Sequence, residues 1–223
     1  MDPVRRSFIP AAGHDWLLPL YDPLQRLLGV EGLQRALIEP AALRHGQRAL
    51  DIGCGTGSLT LLLARLHPDS EVVGLDPDRK ALERARRKAA RASLRIEFEQ
   101  GFSDQLPYPD ACFDRVFSSF MFHHLAAGDQ EKTLNELRRV LRPSGSLHLM
   151  DFDWKRQGKR GRLARLLHGD DRLPHPDYSL ADAMRAAGFA EVGRSGERRT
   201  ILGNVAQYQA SVAPGERQAS APG

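Results

Sequence analysis

LDIGCGTGSL, Leu50 to Leu59, places three glycines at alternate positions directly behind an acid. The apolar lead-in RALDI, Arg48 to Ile52, reads as a buried strand. Ser58 to Leu66 reads as a helix ended by His67-Pro68. Gly53, Gly55 and Gly57 therefore occupy a strand-to-helix turn. Without Cβ atoms the backbone there can approach a ligand closely, and the helix N-terminus behind it offers N–H groups with no helical partner. EVVGL, Glu71 to Leu75, reads as a second strand that ends on Asp76. A carboxylate at that point, 19 residues beyond Gly57, can accept hydrogen bonds from both ribose hydroxyls of a nucleoside.

Outward from this turn, strands and helices alternate. Asp78 caps a helix running to about Arg91, with Leu82, Ala85, Ala89 and Ala92 inward and Glu83 pairing with Arg87 on the exposed face. RIEFE (Arg95 to Glu99) and FDRVFSS (Phe113 to Ser119) are the third and fourth strands. Asp129 to Leu141 is a helix with Leu134, Leu137 and Leu141 inward, and SGSLHLMDF (Ser144 to Phe152) is the fifth strand. Asp151 and Asp153 at its end orient a substrate or face solvent. Ser179 to Ala187 is a helix stopped by Gly188. Two closing strands then surround a turn near Ser195-Gly196, and their short connection requires them to be antiparallel. The expected fold class is α/β: a doubly wound, Rossmann-like, mostly parallel seven-stranded sheet with an antiparallel C-terminal hairpin and helices on both faces. In such sheets ligands bind at the carboxyl ends of the strands, where the strand order reverses.

Residues 1–45 read as short helical pieces broken by Pro19, Pro23, Gly29, Gly32 and Pro40. They form a cap on a body spanning 46–212, with Trp16 and Tyr21 as lid candidates. Residues 213–223 read as a disordered tail. The chain has 223 residues, 41% hydrophobic and 27% charged, which suits a single domain with a full core. The net charge of +4 is too small to argue for nucleic acid. The dense basic stretch Lys155 to Arg165 is a solvated loop or a contact for an acidic substrate, anionic lipid or RNA. Two cysteines, one inside the glycine turn, and no secretory or membrane-spanning run predict a reducing, cytoplasmic setting.

A phosphate-binding P-loop needs a Gly-Lys pair that is absent here. The dinucleotide fingerprint G-x-G-x-x-G fails at its third glycine, where Ser58 or Thr60 stands. What remains is acid-x-G-x-G-x-G. LDIGCGTGSLTLLLA, VVGLDPD, LPYPDACFDRVFSSFMFHHL and LRRVLRPSGSLHLMDF together resemble the successive motifs of class I S-adenosylmethionine-dependent methyltransferases. The resemblance is nearest to the small-molecule branch that includes the ubiquinone/menaquinone-biosynthesis C-methyltransferases, and it covers about Arg48 to Phe152.

This resemblance implies that S-adenosyl-L-methionine is the cofactor and that no metal is used. Gly53, Cys54, Gly55 and Gly57 would cradle its methionine part, and Asp51 would hold that loop and the amino group. Asp76 would clamp the ribose, with Pro77 against the adenine. The family usually has Gly-Asp-Ala before Leu-Pro. Here Phe102 takes the acid's place, so the base is held by apolar contact and backbone at Ser103, or Asp104 substitutes. Ser118 ends the fourth strand beside the same site. His123, His124 and Tyr21 are candidate bases.

Nucleic-acid amine methylation, arginine methylation and arsenite methylation each resemble motifs missing from this chain. A small organic acceptor is left, methylated at carbon, oxygen or nitrogen by in-line displacement. Two rivals stand beside this reading: a regulatory or scaffold protein of the same fold without catalysis, and a dinucleotide-dependent oxidoreductase.

Overall fold

In the computed structural model, residues 22–24, 27–153, 179–200 and 203–214 are described. β1 (Arg48–Ile52) is an interior strand of the sheet, third from one edge. Its side chains alternate between two cores. Leu50 and Ile52 point to one, and Ala49 joins the other. β2 (Glu71–Asp76), β3 (Glu97–Gln100), β4 (Phe113–Ser119) and β5 (Leu141–Phe152) run parallel to it. β6 (Ala190–Thr200) and β7 (Gly203–Ser211) close the sheet as an antiparallel pair, β7 lying against β5. The order is β3-β2-β1-β4-β5-β7-β6, so the winding reverses between β1 and β4.

Helices cover both faces. α1 (Val30–Ile38) and α2 (Ser58–Leu66) bury Leu33, Leu37, Leu59 and Leu63 with Ala49, Val72 and Phe117. α3 (Arg79–Arg91) continues that layer through Leu82, Ala85 and Ala89, which meet Phe98 of β3. The other face carries α4 (Ala127–Val140) and α5 (Leu180–Ala186), whose Leu134, Leu137 and Met184 pack on Val116, Leu147 and Leu149. The buried Gln207 of β7 donates to the Leu33 carbonyl at 2.8 Å and ties α1 to the far end of the chain. Among the described residues no helix is long and apolar enough to cross a membrane.

The expected architecture holds, with local differences. The final turn lies between Thr200 and Gly203, not at Ser195-Gly196. Ser195-Gly196 sits at a register shift inside β6, because a Ser-Gly pair suits a bulge as well as it suits a turn. β3 starts two residues later than the pattern predicts, at Glu97. β5 begins at Leu141, where a bulge accommodates Arg142 to Gly145. Glu83 pairs with Arg79, at 3.2 Å, not with Arg87.

Candidate active site

The strand order reverses beside the glycine turn, so that turn opens at the topological switch point. Gly53, Gly55 and Gly57 all have positive φ, at 64°, 53° and 79°. Gly57 starts α2 in this left-handed conformation, and a Cβ there would stand 2.9 Å from that of Ala85. The Gly55 N–H donates to Asp76 Oδ2 at 2.8 Å, and the Asp78 N–H donates to Asp76 Oδ1 at 2.8 Å. The second acid therefore shapes the turn as well as ending its strand. Thr60 Oγ1 donates to Asp51 Oδ2 at 2.6 Å.

Both acids are buried. Burial pushes the Asp51 carboxyl up to about 7, and the Asp76 charge adds to this against the Thr60 hydrogen bond. Burial likewise raises Asp76 to about 6, against two backbone hydrogen bonds. Among the described residues neither acid has an ion-pair partner. Two buried, mutually repelling carboxyls without a counter-ion suit a cationic ligand. A ligand bearing a sulfonium, an ammonium and two ribose hydroxyls that donate suits this pair of acceptors.

The remaining predicted cofactor residues lie around this turn. The Cys54 thiol is buried among Leu82, Ala85 and Phe98, so only its backbone lies along the turn. Ser118 Oγ donates to the Ile52 carbonyl at 3.3 Å, bridging β4 to β1 where the order reverses. The Pro77 carbonyl accepts from Gln100 Nε2 at 3.0 Å. Phe102 and Ser103 follow Gly101, whose N–H donates to the Asp76 carbonyl, and both are partly exposed. Ser103 Oγ lies 2.9 Å from Thr133 Oγ1 of α4.

Across the switch point, the chain leaves β4 through Phe120, whose φ is 57°, an uncommon conformation for so bulky a residue. Its N–H bonds to the Met150 carbonyl at 2.8 Å. This bend directs Met121 against Gly53, in the space a Cβ there would need. It also delivers a single 3₁₀ turn, Phe122–His124. His123 Nδ1 lies 2.7 Å from Asp151 Oδ1, and the His123 N–H donates to Asp151 Oδ2 at 3.0 Å. Both side chains are nearly buried. The His124 ring lies 3.9 Å from that of His123, while Phe152 packs edge-on to His123 and against Phe120. With Nδ1 donating to Asp151, Nε2 of His123 carries the lone pair and can accept a proton.

Four residues acquire roles the pattern alone did not assign. Asp151 and Asp153 are buried and partnered, Asp151 with His123 and Asp153 with Arg194 at 2.6 Å. Only the pairing of β4 with β5 brings Asp151 to His123, 28 residues earlier. Met121 reaches Gly53 through the Phe120 bend. Asp22 accepts from Thr56 Oγ1 at 2.6 Å, Ser58 Oγ at 3.3 Å and Lys88 Nζ at 2.9 Å. Although burial opposes it, these hydrogen bonds and the Lys88 charge hold the Asp22 carboxyl below its usual range. Trp16, Tyr21, the basic stretch Lys155 to Arg165 and most of the predicted tail lie outside the described residues.

A reversed parallel sheet with a glycine turn held by a second acid at the reversal is the arrangement expected of a class I S-adenosylmethionine-dependent methyltransferase. Residues 49–145 match a family model described as a methyltransferase domain. The chain is 40% identical over 199 residues to a demethylmenaquinone methyltransferase of Deinococcus radiodurans, covering 78% of this chain and 81% of that protein. It is 38% identical to the demethylmenaquinone methyltransferase of Thermus thermophilus, covering 67% and 69%. A solved S-adenosylmethionine-dependent methyltransferase from Aquifex aeolicus shares the fold, with a TM-score of 0.62 at 22% identity over 81% of this chain and 89% of that one. The chain belongs to the class I S-adenosylmethionine-dependent methyltransferases, in the quinone-biosynthesis branch. It is an enzyme that uses S-adenosylmethionine to methylate a small organic acceptor, and nothing favours the inactive or oxidoreductase alternatives.

Proposed function

We propose that the acceptor is a flat aromatic ring bearing an acidic hydroxyl, of the demethylmenaquinol type, and that methylation occurs on carbon. One observation carries this reading: the His123–Asp151 pair stands in an aromatic wall of Phe120, Phe152 and His124, joined to the cofactor turn by Met121. The names of the relatives support it. A flat ring packs well against such a wall, and a histidine oriented by a carboxylate suits proton removal.

Gly53, Gly55 and Gly57, with the Cys54 backbone, would hold the methionine part of the cofactor, Asp51 and Asp76 lying beneath its charge. Asp76 would take the ribose. Pro77, Phe102 and Ser103 would flank the base, and Ser118 would brace the turn. When bound, the cofactor supplies a methyl group activated by a cationic sulfur. The acceptor's hydroxyl proton passes to His123 Nε2, with Asp151 stabilising the imidazolium. The adjacent ring carbon, made electron-rich, would accept the methyl group that the cofactor supplies; the proton it then sheds would leave to water as the ring oxygen recovers its own proton from His123. Alignment and exclusion of water account for the rest of the rate. His124 completes the wall. The N-terminal segment to residue 45 would act as the cap, a role supported by Asp22 fastening it to Thr56 and Ser58. Free thiols at Cys54 and Cys112 support a cytoplasmic setting.

Incubation with methyl-labelled S-adenosylmethionine and a panel of naphthoquinols, phenols and amines tests the reading. We expect label on the ring carbon of naphthoquinols. Label confined to amines or to phenolic oxygens would refute carbon methylation.

A further inference from the structure

α3 carries an unusual concentration of cations. At about 100° per residue, Lys80, Arg84, Arg87, Lys88 and Arg91 fall within an arc of roughly 100°, with Lys88 bordering the buried face of Ala81, Leu82, Ala85 and Ala89. The pairing of Glu83 with Arg87 that the spacing predicts does not form. Glu83 turns to Arg79, Arg86 donates to the Phe98 carbonyl, and Lys88 holds Asp22. Among the described residues, Arg84, Arg87 and Arg91 make no ion pair with a carboxylate. Arg95, just beyond the helix, is exposed as well.

The Lys88–Asp22 contact brings a second feature to the edge of this row. Two residues beyond Asp22, Leu24 is 52% exposed, and three further on Leu27 is 84% exposed. They are two of the three large hydrophobic side chains exposed among the described residues. Asp22, Glu31, Arg65, Leu61 and Lys88 line one depression, so Asp22 and α3 share a surface. Charges in a straight row with bare leucines at their border fit a partner that presents both anions and hydrocarbon. Nucleic acid presents a phosphate backbone and has no use for exposed leucines, whereas an anionic bilayer offers both.

We propose that the α3 face, with Leu24 and Leu27, docks the enzyme on the surface of an anionic lipid bilayer. Arg84, Arg87 and Arg91 lie over the headgroups and the leucines enter the interface. Asp22 links this surface directly to Thr56 and Ser58 of the cofactor turn, so the docked face adjoins the end of the sheet where the cofactor binds. The inference stands whatever the acceptor is.

Flotation of the full chain with phosphatidylcholine vesicles, with and without roughly one third phosphatidylglycerol, tests it. We expect binding only to the anionic vesicles, weakened by salt. The triple variant Arg84→Gln, Arg87→Gln, Arg91→Gln should lose roughly a hundredfold in vesicle affinity. In that variant, calorimetric affinity for S-adenosylmethionine should be unchanged, which also reports correct folding. Leu24→Ser with Leu27→Ser should lose about tenfold. Three results would each overturn the proposal. One is no binding to anionic vesicles. Another is full binding by the triple variant, which would point to Lys155–Arg165. The last is binding to RNA without binding to vesicles.

Discussion

Both oxygens of Asp76 already accept backbone N–H groups, from Gly55 and Asp78. A ligand hydroxyl would therefore meet a carboxylate positioned before it arrives. Asp76→Ala should weaken S-adenosylmethionine binding at least tenfold, since the charge-assisted bonds lost are together worth ~1–3 kcal/mol. Calorimetry that returned the wild-type affinity in a folded variant would exclude the ribose role. The raised Asp51 and Asp76 also link binding to protons. A cationic ligand favours their ionised forms, so binding below about 7 and about 6 must release protons. Affinity should accordingly rise with pH from 5 to 7, and calorimetry in buffers of different ionisation enthalpy should detect the release. Across the site, Asp151→Asn keeps the shape of the His123 partner and removes its charge. We expect kcat to fall ~100-fold with cofactor affinity unchanged; a kcat within twofold of wild type would remove His123 as the base.

Among the elements, the start of α2 is the most constrained. Gly57 combines a φ of 79° with contact against Ala85 on α3. Gly57→Ala should therefore destabilise the fold by ~1–3 kcal/mol through strain and overpacking. A urea unfolding midpoint equal to wild type would contradict that account. Periodicity makes elements of this kind easy to anticipate. Arg48–Ile52, Ser58–Leu66 and Phe113–Ser119 have the predicted bounds, because each is set by local apolar spacing and local breakers. The hairpin was harder to place. Ser195-Gly196 signals a turn locally, but pairing with β7 along its length makes it a bulge, and the chain reverses after Thr200. Cross-strand hydrogen bonding outweighed the local preference.

Over the whole molecule, stability should carry the signature of its buried titratable groups. His148 is fully buried and stacked on Phe117, and burial, aided by the Arg115 charge, drives its imidazole down to about 3. The unfolded chain binds that proton far more readily, so this group makes stability fall as the pH drops from about 6.5 toward 3. Asp51 and Asp76 act in the opposite sense. The folded state holds their protons more tightly, so their contribution is present below about 4 and is lost as the pH rises through about 6 to 7. Denaturant titrations should therefore show the cofactor stabilising the protein more at pH 7.5 than at pH 5.5. Equal stabilisation at both would mean that the two acids do not meet the cofactor's charge.

The glycine turn and the acid at the end of β2 were legible because each depends on neighbours in the chain. A left-handed turn demands glycine, a helix start demands a breaker, and an acid closing a strand has a position set by strand length. The alternation of strands and helices likewise dictated a doubly wound sheet. His123 was legible as a residue on the cofactor side and a candidate base, but without its partner. What tertiary structure alone decided is its pairing with Asp151, the seating of Met121 on Gly53, and the anchoring of Asp22 by Thr56 and Lys88. Those contacts join residues 28, 68, 34 and 66 positions apart. Hydrogen bonds and packing over such separations depend on strand order and register, which the sheet sets as a whole and no local pattern carries.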